Sequence, residues 1–289
     1  MSAALEVLDP GPLTLVQDLG RRGVAAIGVG RSGAADLTAY RLGARLVAHD
    51  EGLAALEVVL GSLVARVRGG DLTVALTGAA APALVDDRPV PHAAPLHLRA
   101  GQVLRLGVPA AGLRTYLTVR GGLAVPEVLG SRSTDTLAGL GPAPVRAGDV
   151  LRVLGYRGPF PNVDVAPVPP PTADRVVLEV RTGPRHAWFA RPDALAAQTW
   201  QVSSRSDRVG VRLEGEPLAR AQRWEGTELP SEGMVRGCLQ VPAGGLPVLF
   251  LSDHPVTGGY PVIGVVVPSD VDRAAQLQPG QQVGFRWRG

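Results

Sequence analysis

The chain has 289 residues, of which 45% are hydrophobic and 19% charged, with 37 Gly and 26 Pro. That is enough apolar material for one large or two modest cores, and too little Gly and Pro for a collagen-like or disordered chain. All 29 basic residues are Arg, they exceed the 26 acidic residues by only three, and no run is longer than Arg21-Arg22. This scatter argues against the basic stripe of a nucleic-acid binder.

Short apolar runs punctuated by Gly and Pro dominate the chain. Val58 to Val67, Leu72 to Leu76, Leu96 to Leu106, Leu113 to Val119 and Val150 to Leu154 read as strands. The segment 156–174 carries six prolines and reads as a semi-rigid linker. Beyond it the strand texture returns at Val176 to Val180, Leu239 to Val241, Val248 to Leu251 and Val262 to Val267. The spacing predicts a mainly β protein of barrels or sandwiches. The division is 1–155, a linker over 156–174, and 175–289.

Helical windows are few. Residues 33–48 follow Ser32 as N-cap. Residues 186–198 contain Pro192, which starts or interrupts a helix. Residues 269–278 offer Ser269 as cap with Asp272 three residues on, and Pro279-Gly280 ends the pattern. The strings 56–79 and 231–254 share an acidic residue, an Arg-Gly step, a Gly-Gly turn and an apolar strand. This weak internal repeat is compatible with duplication, although Gly-rich β proteins also look self-similar by composition.

Cys238 is the lone cysteine, so no intramolecular disulfide forms. The first residues lack a signal-peptide pattern, and no apolar stretch approaches the ~18 residues of a membrane span. The expectation is a soluble cytoplasmic protein that neither spans a membrane nor binds nucleic acid.

C-x-x-C, H-E-x-x-H, Walker A and G-x-S-x-G patterns are absent. GVGRSG (28–33) matches a dinucleotide fingerprint superficially but lacks the βαβ context, and five dispersed histidines give no metal-ligand spacing. Polar residues instead cluster in Gly-rich loops: 17–23, 130–134, 203–215, 230–237 and 253–261. Such loops can aim N–H groups and an Arg fork at a carboxylate, phosphate or carbamate. They can equally hold structural ion pairs such as Asp18–Arg21 and Asp207–Arg208.

Seven strings in order, QDLGRRG (17–23), RSGAAD (31–36), RTYLTVRGGL (114–123), GSRST (130–134), SSRSDRVGVRL (203–213), SEGMVRGCLQVP (231–242) and VTGGYPVIG (256–264), resemble the allophanate hydrolase subunit 2 family, also called the KipA or biotin-dependent carboxyltransferase family. The resemblance runs from about Val7 to Phe285. It implies a duplicated cyclophilin-like β-barrel, similar to part of the carboxyltransferase portion of urea carboxylase and to the C-type subunit of bacterial 5-oxoprolinase. The chain has no Lys, so it cannot supply the Ser-Ser-Lys triad of a true allophanate hydrolase.

The function implied is a subunit of a heteromeric enzyme acting on a small amide or lactam. ATP-dependent opening of 5-oxoproline to glutamate comes first, and carboxyl transfer in a urea carboxylase pathway is the alternative. A non-catalytic KipA-type regulator that binds a KipI-type kinase inhibitor is the rival from another class. The companion is an allophanate hydrolase subunit 1 or KipI-type protein, joined by a LamB/YcsF-type protein or by a biotin carboxylase. ATP or carboxybiotin would come through the complex, with no cofactor held tightly by this chain and no metal.

Both chemistries need an anion clamp and a carboxylate for proton transfer. Arg132 or Arg208 is the expected clamp, and Glu232 or Asp253 the proton handler, although Glu232 can equally be a structural acceptor. Ser131, Ser133, Thr257 and the amides of Gly258 and Gly259 are expected to orient substrate, with Tyr260 as a wall. Gln17, Asp18, Arg21, Thr134, Ser204, Asp207 and Ser231 complete the expected binding loops.

Overall fold

Residues in the left-handed backbone region cut the apolar runs into short strands. In the computed structural model, which describes residues 3–288, the run 58–67 is two strands, Ala55–Val59 and Val64–Arg68. They are broken by Leu60, Gly61 and Ser62 at φ 56°, 68° and 63°. A Cβ on Gly61 would strike the carbonyl of Gly107, so glycine is required at this close crossing. The run 96–106 likewise divides into Pro95–Leu98 and Val103–Leu106.

The chain divides into two compact units. Among the described residues the first comprises 3–22, 32–135 and 139–171; the second comprises 23–31, 136–138 and 172–288. The first unit has two antiparallel sheets. One runs Val150–Arg152, Ala4–Asp9, Val64–Arg68, Val103–Leu106, Ala83–Val85, Arg88–Pro89, and the other Leu13–Gln17, Ala55–Val59, Arg114–Val119, Leu72–Gly78, Pro95–Leu98. Alternate residues of both sheets, such as Leu5, Val7, Leu56, Leu76, Leu104 and Leu117, share one dry core.

Helix α1 (Leu37–Leu46) covers part of the second sheet. Its cap is Asp36, whose Oδ1 accepts from Ala39 N at 2.9 Å, and not Ser32, which sits at φ 53° and donates to Thr134 O. Gly43 lets the helix pack closely, since a Cβ there would meet Thr118 Oγ1.

The proline-rich stretch groups with the first unit up to Pro171. Arg120 donates to four carbonyls, Val47, Ala48, Gly158 and Pro159, at 2.6–2.8 Å. Its guanidinium also lies over the rings of Tyr156 and Phe160. Ala166 N adds a bond to Ala93 O.

The second unit is a closed seven-stranded barrel in the order Val176–Thr182, Val262–Val266, Cys238–Gln240, Val248–Phe250, Gly210–Glu214, Trp200–Val202, Gln282–Trp287. The last strand closes the ring by pairing parallel to Val176–Thr182, with Val176 opposite Val283 and Val180 opposite Trp287. Leu178, Val180, Trp200, Leu239, Leu249 and Val283 are buried.

The expected helix over 186–198 is a 3-10 turn, His186–Trp188, and one helical turn, α2 (Ala194–Ala197), with Pro192 between them. Helix α3 (Pro268–Ala274) starts one residue earlier than expected. Pro268 occupies its first turn, so Ser269 lies inside the helix and makes no cap. No helix among the described residues is long and apolar enough to cross a membrane.

Candidate functional site

The expected clamp and proton handler are joined to each other in the second unit. Arg208 Nε and Nη2 donate to Asp253 Oδ2 and Oδ1, both at 2.9 Å, while Thr136 N and Oγ1 donate to Asp253 Oδ2 at 2.9 and 2.7 Å. Both charged side chains are buried, at 3% and 0% exposure. Burial alone would raise the Asp253 carboxyl; the Arg208 charge and hydrogen bond, with the Thr136 donors, outweigh it and hold the group below its ordinary range. Arg208 therefore presents no open fork, and its structural partner is Asp253, not Asp207. The Asp207 side chain is exposed and accepts from Val209 N and Gly210 N in a local turn. Ser204 is exposed nearby.

Glu232 and Thr257-Gly258 are brought together by a two-stranded sheet that sets Glu232 opposite Gly258 and Gly233 opposite Thr257. Glu232 is only partly buried and pairs with both Arg185 Nε and Nη2. The Arg185 hydrogen bond, helped by its charge, holds the Glu232 carboxyl low against the desolvation. Ser231 is exposed just before Glu232.

The same strand pair feeds an open cleft of about 860 Å³, within the ~300–1,000 Å³ of small-molecule sites. Gly259 and Tyr260 line it. Leu218, Leu229 and Val241 give it a buried apolar floor. Arg220 is its only lining cation, and Glu225 and Glu228 are exposed on its lining. Among the described residues neither carboxylate forms an ion pair. These three charged residues carry no motif and were not singled out in the sequence.

In the first unit the expected binding residues are turned on one another. Asp18 Oδ1 accepts from Ser131 Oγ (2.7 Å), Ser133 Oγ (2.5 Å) and Gly20 N (2.7 Å), and its Oδ2 accepts from Arg132 N (2.6 Å). The Arg132 side chain is tied to Val125 O and Glu127. Arg21 is buried and donates to Val128 O and Ser133 O, not to Asp18. Gln17 Nε2 donates to Thr134 O, and Thr134 Oγ1 donates to Pro142 O. The knot fixes the loop 128–134 against 17–21.

A second buried polar group was not anticipated. Glu57 Oε2 accepts from the Tyr116 hydroxyl at 2.7 Å and from Ala35 N at 2.9 Å, while Glu57 Oε1 lies 3.4 Å from Arg114 Nε. Burial first, then the Glu57 and Asp36 charges, push the Tyr116 hydroxyl far up, so it stays a donor. Alternation could have flagged it, because Glu57 is the charged residue in an otherwise apolar strand, LEVV. Among the described residues no group of three or more His, Cys, Asp or Glu is placed to hold a metal.

Residues 27–287 match the family model described as carboxyltransferase domain, subdomain A and B. The chain is 36% identical over 287 residues to the C-type subunit of 5-oxoprolinase from Escherichia coli (strain K12), covering 97% of this chain and 90% of that protein. It is 32% identical to urea amidolyase of Lachancea kluyveri, covering 98% of this chain and 17% of that protein. Among solved structures, the crystal structure of TTHA0988 superposes with a TM-score of 0.89 at 34% identity, over 99% of this chain and 55% of that one. The chain thus spans about half the length of TTHA0988. With the mainly β fold and near-complete matches in agreement, this chain belongs to the carboxyltransferase domain family, subdomains A and B.

Proposed function

We propose that the chain is the C-type subunit of a heteromeric, ATP-dependent 5-oxoprolinase, which opens the lactam of 5-oxoproline to glutamate. The observation that carries this reading is the 36% identity over nine-tenths of a protein named as that subunit. The geometry is consistent with a shared site: the cleft of the second unit is open, and the buried Arg208–Asp253 pair is closed to substrate. In this reading a subunit 1 or KipI-type companion and a LamB/YcsF-type protein complete the enzyme in the cytoplasm, and ATP is held elsewhere in the complex. Glu232, kept ionised by Arg185, acts as a fixed acceptor beside the cleft.

The test is to co-express the chain with these companions and measure ATP hydrolysis driven by 5-oxoproline. Turnover that depends on all the proteins together supports the reading. ATP hydrolysis driven by urea in the presence of a biotin carboxylase would move it to the carboxyltransferase alternative. A stable complex silent with both substrates would favour the regulator.

A further inference from the structure

We infer that Arg220 is the carboxylate clamp of the cleft, and that the cleft takes a small cyclic amide bearing one carboxylate. This rests on the 5-oxoprolinase reading and names the residue that would recognise its substrate. Arg220 is the cation that lines the cleft, whereas Arg208 is buried against Asp253.

Its placement is built from the backbone outward. Residue 220 forms an antiparallel bridge with Phe189, flanked by Ala190 N to Ala219 O and Ala221 N to Trp188 O. The guanidinium lies 5.8 Å from the Trp188 ring centroid, and Trp188 is itself stacked on Trp224 at 4.5 Å. Nη1 donates to Thr227 O at 2.9 Å. Among the described residues Arg220 makes no other hydrogen bond, so an oriented edge of the planar fork remains to meet a carboxylate with two parallel bonds. The buried apolar floor suits the methylenes of a small ring. Glu225 and Glu228 can accept from an amide N–H, and their charge disfavours a ligand carrying two carboxylates.

Tryptophan fluorescence reads the site directly, because Trp188 lies under the guanidinium. The full chain is titrated with 5-oxoproline and with 2-pyrrolidinone, the same lactam without its carboxylate. The expected result is a saturable change with 5-oxoproline and roughly 10- to 100-fold weaker binding of 2-pyrrolidinone. Arg220→Gln removes the cation and keeps a polar side chain with an N–H donor. It should bring 5-oxoproline to the 2-pyrrolidinone level with an unchanged melting temperature. If the chain alone gives no signal, the titration is repeated in the assembled complex, and failure to discriminate the two lactams there overturns the clamp.

In the complex, Arg220→Gln should raise the KM for 5-oxoproline by the same factor with little change in kcat. An unchanged KM in an active complex sinks the clamp and leaves the proposed function standing. A complex inactive toward 5-oxoproline whose fluorescence still discriminates the lactams through Arg220 does the reverse.

Discussion

Arg208→Met is the sharpest test of how the second unit is held together. The substitution preserves much of the aliphatic volume and removes both donors to Asp253, leaving a carboxylate of 0% exposure leaning on Thr136. Breaking a buried pair from one side costs about 3–5 kcal/mol. At roughly 2–4 °C per kcal/mol for a protein of this size, the melting temperature should fall by about 6–20 °C. The loss should depend on pH with a definite sign. In the parent the Asp253 carboxyl is depressed, so its contribution is present above the unfolded value of 3.8 and fades as pH falls through the lower folded value. In the variant burial acts unopposed by the guanidinium, the folded value rises above the unfolded one, and the deficit should shrink on acidification. Replacing both partners, Arg208→Met with Asp253→Leu, should recover a large part of the loss, because no charge is then stranded. Calorimetry of the parent, Arg208→Met, Asp253→Leu and the double variant at pH 7 and pH 5 checks this. A variant melting within a degree of the parent, combined with loss of turnover in the complex, would refute the structural assignment and restore Arg208 as a ligand group.

Asp18→Ala removes the acceptor of two buried hydroxyls and two backbone N–H groups and should destabilise the first unit by about 3–5 kcal/mol, seen as a lower denaturant midpoint. Gly141→Ala places a methyl against Ser133 O and Arg21 Nη2 at φ 85° and should cost about 2–4 kcal/mol by the same measurement. His49 accepts from Gly121 N through Nδ1; burial, then the Arg120 charge, lower it from 6.5 to about 4. Its neutral form is favoured on folding, so its contribution is intact above pH 6.5 and falls by about 3 kcal/mol as pH drops toward 4. A His49→Gln variant should lack that part of the pH–stability slope.

Local chemistry made part of the molecule readable. Pro192 announced the break between His186–Trp188 and Ala194–Ala197, whereas Asp207, expected in a binding loop or paired with Arg208, accepts from Val209 N and Gly210 N in a local turn. The apolar run 58–67 misled because its turn uses Leu60 and Ser62 in the left-handed region, where side-chain type gives little warning. The candidate site was legible only in fragments. Arg208 was visible as either a clamp or half of an ion pair, but the choice depends on Asp253, 45 residues away, which no spacing rule connects to it. Arg220 lies in LARAQRW, a string without a motif; what makes it notable is the bridge to Phe189 and the tryptophan below it. Gly259 and Tyr260 could be picked out as loop residues, whereas the cleft they line also needs 217–229 and 241–245.

The parallel pairing of Gln282–Trp287 with Val176–Thr182 has a consequence for synthesis. That strand sits between Val176–Thr182 and Trp200–Val202, so until the ribosome has released it the barrel has two unpaired edges and no way to close. The closing contact joins the first and the last strand of the barrel in chain order, which makes it a late and slow step, and the nascent chain meanwhile exposes edges able to pair with other chains. The first unit draws no strand from beyond Arg152 and can finish its sheets earlier. Chaperone demand during translation should therefore concentrate on the segment that supplies the barrel strands, 176–287, and a nonsense codon just before Gln282 should yield an aggregating product that still carries a folded first unit.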